Sequence, residues 1–445
     1  MKDLTQGPIP RLLVAMAVPI ALGMLLQTLY YVVDLYFVAG LGEAALAGVS
    51  AAGNVFFIVL ALTQIIGVGT VALMSQAVGA QDRAGANHVF NQSIALSALC
   101  AGVTLAGGYA CAVPYMRMVG ADDATAAAGV AFLYFFIPGL ALQFALVVMG
   151  SALRATGIVK PTIAVQAFTV LLNTALAPVL IAGWGTGRPL GAAGAALAST
   201  LAVVAGVALL AVYFVRLEHY VRFDASDLRP RAPTWARMLN VGLPAGGEFA
   251  LMAVYIGVVY WIIRDFGAAA QAGFGVGSRV MQAIFVPALA LSFAAAPIAG
   301  QNFGARLPAR VRETFRVTAA ASCAVMLALT LLCQWRGEAL VRFFSTDAEV
   351  IAFGAEYLRV ISWNFVAAGL IFSASSLFQG MGNTWPSLAS SASRLVLFVA
   401  PAVWLSMQPG FRLVDAWHLS VATNVVQAVI SLALLQREFR RKLAQ

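Results

Sequence analysis

The 445-residue chain is 61% hydrophobic and only 10% charged, where soluble domains carry about a quarter charged residues. Too little polar surface remains to solvate a fold of this size in water, which excludes a soluble enzyme, a nucleic-acid-binding domain and a disordered chain. The formal net charge of +9 therefore needs an explanation compatible with a bilayer.

Apolar runs recur from end to end, each near or above the ~20 residues a helix needs to cross a membrane. Taken in chain order, the predicted spans fall at 11–38, 45–74, 86–111, 124–150, 161–182, 191–216, 236–263, 269–299, 311–334, 348–378, 387–407 and 415–436. The sequence thus predicts an all-α integral membrane protein of about 12 transmembrane helices. The first span is too long for the core of a signal peptide, and no small-residue cleavage site follows it, so it is expected to persist as a helix. With the N-terminus in the cytoplasm, 18 of the 27 Lys and Arg residues lie on tails and connections of that side, and six lie opposite. The positive charge is then topogenic, both termini are expected in the cytoplasm, and nucleic acid is dropped as a partner.

The chain is written twice. Sliding it on itself by 225 positions sets Pro19 on Pro244, Gly42 on Gly267, Gln76 on Gln301, Arg117 on Arg342, Asp122 on Asp347, Gly157 on Gly382 and Pro161 on Pro386. Two Ala-rich halves would match Ala and Leu by chance, but not this series of Gly, Pro, Gln, Asp and Arg at one offset. The expected organisation is an N-terminal six-helix lobe over 1–216, a cytoplasmic linker over 217–234 and a C-terminal six-helix lobe over 235–445. An even number of helices per repeat brings both halves in from the same side, the plan of carriers that work by alternating access. Nothing resembles a selectivity-filter loop or a ring of like charges, which sets a channel aside.

The functional candidates are the polar residues that a bilayer should exclude, since an ionisable side chain in mid-span costs roughly 2.5–3.5 kcal/mol on insertion scales. Asp34 sits in the first span with Gln27, Tyr30 and Tyr31 on the same helical face. Burial would move such a carboxyl toward a range where protons bind and leave reversibly. Glu248 lies in the seventh span with Met252 and Tyr255 at i+4 and i+7. The repeat sets Glu248 on Gly23 and Asp34 on Val259, so neither acid has a twin. Gln166, Thr169 and Asn173 form an inward-facing polar stripe on the fifth span, suited either to ligand contact or to interhelical hydrogen bonds. Glu356 and Arg359, spaced i, i+3, are placed to neutralise one another. Arg279 and Arg394 lack local partners and are left open between lining a cavity and closing a contact between lobes. No nucleophile motif, phosphate-binding loop or metal-ligand spacing occurs, and the four cysteines read as packing residues. No catalytic site, metal or cofactor is expected, and energy must come from an ion gradient or from the substrate's own gradient.

The stretches Leu41–Gly48, Gly300–Ala305, Arg154–Pro161 and Gly380–Pro386 resemble recurring signatures of multidrug and toxic compound extrusion (MATE) transporters, and the likeness covers nearly the whole chain. The resemblance implies a bacterial inner-membrane antiporter that exports amphipathic, often cationic compounds in exchange for H+ or Na+. It implies that Asp34 is the coupling residue, joined by Asn173 and by a sixth-helix hydroxyl, Ser199, with Thr200 as the alternative. An acidic residue in the seventh helix is also a family feature, which Glu248 resembles; with the residues read from the polar helix faces, Gln27, Tyr30, Tyr31, Gln166, Thr169, Met252 and Tyr255, it is expected to line the substrate cavity. Ala177 stands where the family carries a second aspartate, which favours protons over sodium, because a hard cation wants several oxygen ligands. The partners expected are a small-molecule substrate and the lipid bilayer, with the chain as a monomer. The alternative function is a flippase for lipid-linked saccharides of the same wider superfamily, for which Arg279 and Arg394 would supply cationic groups toward pyrophosphate.

Overall fold

The structure is a computed structural model that describes residues 2–185, 187–218 and 220–443, with the side chains of 30–35 and 39 outside the description. The first half supplies α1 (Ile9–Ala39), α2 (Glu43–Gly79), α3 (Arg83–Val119), α4 (Asp123–Ala155), α5 (Lys160–Ile181) and α6 (Gly191–Arg216). The second supplies α7 (Ala232–Ile263), α8 (Ala268–Gly304), α9 (Pro308–Arg342), α10 (Ala348–Ile361), α11 (Asn364–Gly380), α12 (Trp385–Ser406) and α13 (Leu413–Lys442). No strand occurs among the described residues. Eleven of these helices are long and apolar enough to cross a bilayer, and the bent pair α10–α11 makes a twelfth. Their outward faces are apolar as well: Val14, Val18, Leu22, Leu25 and Leu29 run down one exposed side of α1, and Leu327 and Leu331 down α9. Water would not tolerate such faces, whereas lipid solvates them and forces every backbone group into a helix.

The duplication is visible in the backbone. α2 and α8 share the same bounds at the 225-residue offset, and so do α5 and α12. The left-handed residues also recur in register: Gly42 with Gly267, Gly157 with Gly382, Gly185 with Gly410, and the non-glycine pair Gln81 (φ 57°) with Arg306 (φ 58°). A helix crossing repeats too. A side chain at Gly48 would collide with the Thr125 carbonyl and Gly129 of α4, and one at Gly273 with the Val350 carbonyl and Gly354 of α10. Small residues let the two backbones touch, which is how helices pack where lipid supplies no hydrophobic drive. Asp122 and Asp347 both cap the helix that follows them, and the Thr125 amide hydrogen bond to Asp122 holds that carboxyl below the usual aspartate range.

The expected span 348–378 is bent: α10 and α11 meet at 56° across Ser362–Trp363. Neither residue is a helix breaker. The bend is held by α9, whose Thr330 hydroxyl donates to the Ser362 carbonyl at 2.9 Å and whose Gln334 amide donates to the Arg359 carbonyl at 2.6 Å. Side chains inserted into the helical ladder are a recognised cause of kinks. The first repeat answers with Pro138 in α4, which lacks an N–H and leaves carbonyls on the preceding turn. Tyr109 of α3 donates to the Tyr134 carbonyl at 3.0 Å, and Thr200 of α6 to the Phe135 carbonyl at 2.6 Å. Tyr109 and Tyr134 are the repeat partners of Gln334 and Arg359, so one interhelical hydrogen bond is kept in both halves with different residues. The ion pairs among the described residues do not include the expected Glu356–Arg359 contact.

The chain divides into two compact units, residues 1–3 with 22–242 and residues 4–21 with 243–445. This differs from boundaries at 216 and 235, because the segments that precede α1 and α7 are each clamped by helices of the other repeat. In the first unit, Gln92 of α3 donates to the carbonyls of Asp227 and Arg229 and accepts from the Arg231 amide. Asn91 holds the Arg222 carbonyl and the Asp224 amide, and His88 lies 3.0 Å from both Asp227 and Thr234. The linker is thus a docked strap. In the second unit, Gln301 and Asn302 of α8 bracket the backbone of Leu4, and Arg310 of α9 donates to the Gly7 carbonyl at 3.0 Å.

Candidate functional site

In the first unit, α5 and α6 run antiparallel at close quarters because α6 presents glycine where α5 presents bulk. Thr169 fills the space over Gly206, and the Leu180 backbone lies on Gly194. Between these contacts Asn173 and Ser199, both buried, meet across the interface, with Asn173 Nδ2 donating to Ser199 Oγ at 3.2 Å. Two of the three residues expected to share a coupling site are therefore brought together. Thr200, the alternative to Ser199, points to α4 and spends its hydroxyl on the Phe135 carbonyl. Ala177, one turn beyond Asn173, is fully buried among apolar side chains of this unit.

The remaining first-unit candidates divide. Asp34, Tyr30 and Tyr31 lie on α1, and their side chains fall outside the described residues. Gln27 is exposed on the same helix, while Gln166 is half-buried with its amide oxygen against Gly23. Thr169 returns its hydroxyl to the Gln166 carbonyl at 2.8 Å. Of the predicted stripe, Asn173 and Gln166 thus carry polar groups to neighbouring helices, and Thr169 packs.

In the second unit, Glu248 of α7 is half-buried and faces Ser387 of α12. Gly247 beside it lies against Leu388, fixing α7 on α12 at that level. Met252 is exposed. Tyr255, two turns past Glu248, shares a 2.9 Å hydrogen bond with Ser420 of α13 and packs its ring on Phe398 at 4.9 Å. The guanidinium of Arg394 sits 4.9 Å over that ring. No ion pair to Arg394 occurs among the described residues, and its Nε is buried without a hydrogen-bond partner. A charge in mid-span costs roughly 2.5–3.5 kcal/mol, and a cation–π contact returns about 0.5–2, so Tyr255 alone leaves Arg394 under-compensated. Arg279, by contrast, is exposed on α8.

The duplication holds the signal that singles out Arg394. At the 225-residue offset the stripe Gln166, Thr169, Asn173 becomes Ser391, Arg394, Phe398, and Tyr30 becomes Tyr255. The same helical face is polar in one repeat and cationic in the other. Among the described residues, no group of three or more His, Cys, Asp or Glu could hold a metal ion.

Two repeats of membrane-spanning helices, each with buried polar side chains, define a polytopic membrane protein. A family profile described as MatE matches residues 19–179 and 244–405, once per repeat, and the chain belongs to that family. It is 28% identical over 390 residues to the probable multidrug resistance protein YpnP of Bacillus subtilis, covering 85% of each chain. It is 22% identical over 404 residues to the FAD transporter of Shewanella oneidensis, covering 90% of this chain and 89% of that one. A solved outward-facing conformation of a multidrug resistance MATE family transporter superposes with a TM-score of 0.91 at 24% identity, over 100% of this chain and 99% of the other.

Proposed function

We propose that this protein is a secondary active antiporter that exports amphipathic, cationic organic compounds across a bacterial inner membrane in exchange for protons, by alternating access. The observation that carries the reading is the duplicated carrier fold of a MatE family member with a buried Asn173–Ser199 pair on α5 and α6. In this scheme Asp34 binds the proton and the Asn173–Ser199 pair responds to its charge state. The apolar burial of Ala177 supports protons over sodium, since a hard cation would lack a carboxylate there. The distribution of Lys and Arg supports two cytoplasmic termini. The protein acts as a carrier and not as an enzyme, with no resident cofactor and a single chain as the working unit.

The names of the relatives span multidrug resistance and FAD, so membership alone does not fix the cargo, and substrate chemistry has to come from this chain's own residues. A second reading, a flippase for lipid-linked saccharides, draws its support from the mid-span guanidinium of Arg394.

Reconstituted vesicles decide between them. An imposed pH gradient should drive export of a lipophilic cationic dye, a sodium gradient alone should not, and Asp34→Asn should reduce the proton-driven rate at least tenfold. Undiminished export by Asp34→Asn, or transport only of a lipid-linked pyrophosphate, would sink the reading.

A further inference from the structure

We propose that the cargo extends beyond cationic compounds, and that Arg394 is the recognition point for an anionic group, a phosphate or carboxylate, carried by an aromatic amphipathic substrate. The proposal rests on the transport reading for how such a molecule arrives and leaves, but its recognition step is an equilibrium of the second unit alone.

Four observations converge. Arg394 occupies the face of α12 that repeats the Gln166–Asn173 stripe of α5, at the position of Thr169. One side of its guanidinium is covered by the Tyr255 ring, and that ring is fixed by the Ser420 hydrogen bond and by Phe398. Its Nε is buried and has no hydrogen-bond partner among the described residues. The acid on the neighbouring helix cannot neutralise it: Glu248 faces Ser387, seven residues before Arg394 on α12, about 10 Å along the helix.

The choice of side chain says what is bound. A lysine in this position could shed its proton, but an arginine stays charged in any protein environment. A permanent, under-compensated charge is useful where a ligand supplies the counter-charge, and a planar fork of N–H groups matches carboxylate and phosphate in two-point geometry. Tyr255, half-buried and braced at 51° by the fully buried Phe398, gives an adjacent aromatic surface for a planar ring. Ser391, one turn before Arg394, accepts a 3.1 Å hydrogen bond from Gln427 of α13, so the polar groups beside the arginine are neutral. None of them competes with an arriving anion.

Flavin mononucleotide and riboflavin share one ring system and differ by a single phosphate, which makes them a matched pair of probes. Binding is measured on the purified full chain in phosphatidylcholine nanodiscs, with no ion gradient, by quenching of flavin fluorescence. The wild type should bind the mononucleotide at least tenfold more tightly than riboflavin. Arg394→Gln should erase that preference while keeping riboflavin affinity, which reports an intact fold, and Arg394→Lys should keep part of it. Added phosphatidylglycerol that displaces the mononucleotide from wild type but has no effect in Arg394→Gln would identify a lipid headgroup as the phosphate donor; no displacement would leave a soluble organic anion. The proposal is overturned if the wild type shows no mononucleotide preference, or if Arg394→Gln retains it within twofold. Dye export in the vesicle assay can succeed or fail independently of either result.

Discussion

Asn173 and Ser199 show how a single buried hydrogen bond can hold two helices in register. Both side chains are buried, and the bond joins α5 and α6 between two glycine contacts. Burial makes the bond expensive to leave half-made, about 1–3 kcal/mol for the orphaned partner. Asn173→Ala and Ser199→Ala should each lower thermal stability in detergent, and the double variant should lose less than their sum. A coupling energy of about 1 kcal/mol in that double-mutant cycle is the expected value; strict additivity would show that the two groups act separately. Thr200 offers the internal control, because its hydroxyl serves the Phe135 carbonyl on α4 and should not couple to Asn173.

At the level of helices, the fold depends on places where a side chain would be in the way. Gly48 on α2 and Gly273 on α8 each meet a glycine on the facing helix, and the pair is kept in both repeats although most of the surrounding sequence has changed. Gly273→Val should force α8 and α10 apart, an overpacking of about 1–3 kcal/mol or more. The measurement is the monodisperse fraction and melting temperature of the purified variant, against Gly257→Val on an open face of α7 as a control. A Gly273→Val protein that melts with the wild type would remove this crossing from the determinants of the fold. The broken span α10–α11 follows the opposite rule: there α9 supplies polar side chains, and backbone carbonyls that the helix cannot satisfy are satisfied by its neighbour.

On the scale of the whole molecule, the two repeats exchange their leading segments. The residues before α7 are clamped to α3, and those before α1 to α8 and α9. Gln92 alone makes three side-chain bonds to the strap, so Gln92→Ala should weaken its docking by about 2 kcal/mol or more. Trypsin would then cut faster after Arg222 and Arg231, with cleavage elsewhere unchanged. Equal cleavage rates in wild type and variant would mean that the strap is held by other contacts.

Much of this was legible beforehand. The spans follow from apolar run length, because a bilayer imposes a minimum helix length whatever the packing. The duplication follows from Gly, Pro, Asp and Gln at one offset, residues whose backbone and capping roles are local and so recur with the structure they specify. The Asn173–Ser199 pair was within reach through family resemblance, but the choice over Thr200 was not, since adjacent residues on a helix differ by only 100° and a small rotation exchanges them. Three features lay beyond the sequence: the break at Ser362–Trp363, the strap on Asn91 and Gln92, and the isolation of Arg394. Each depends on which helix stands opposite, and neither propensity nor periodicity encodes that. The sequence by itself determined a doubled set of membrane helices and the scarce polar residues within them. The tertiary structure decided which of those polar groups are satisfied by a neighbour and which, like the Nε of Arg394, are left without a hydrogen-bond partner, because satisfaction is a property of pairs brought together from distant parts of the chain.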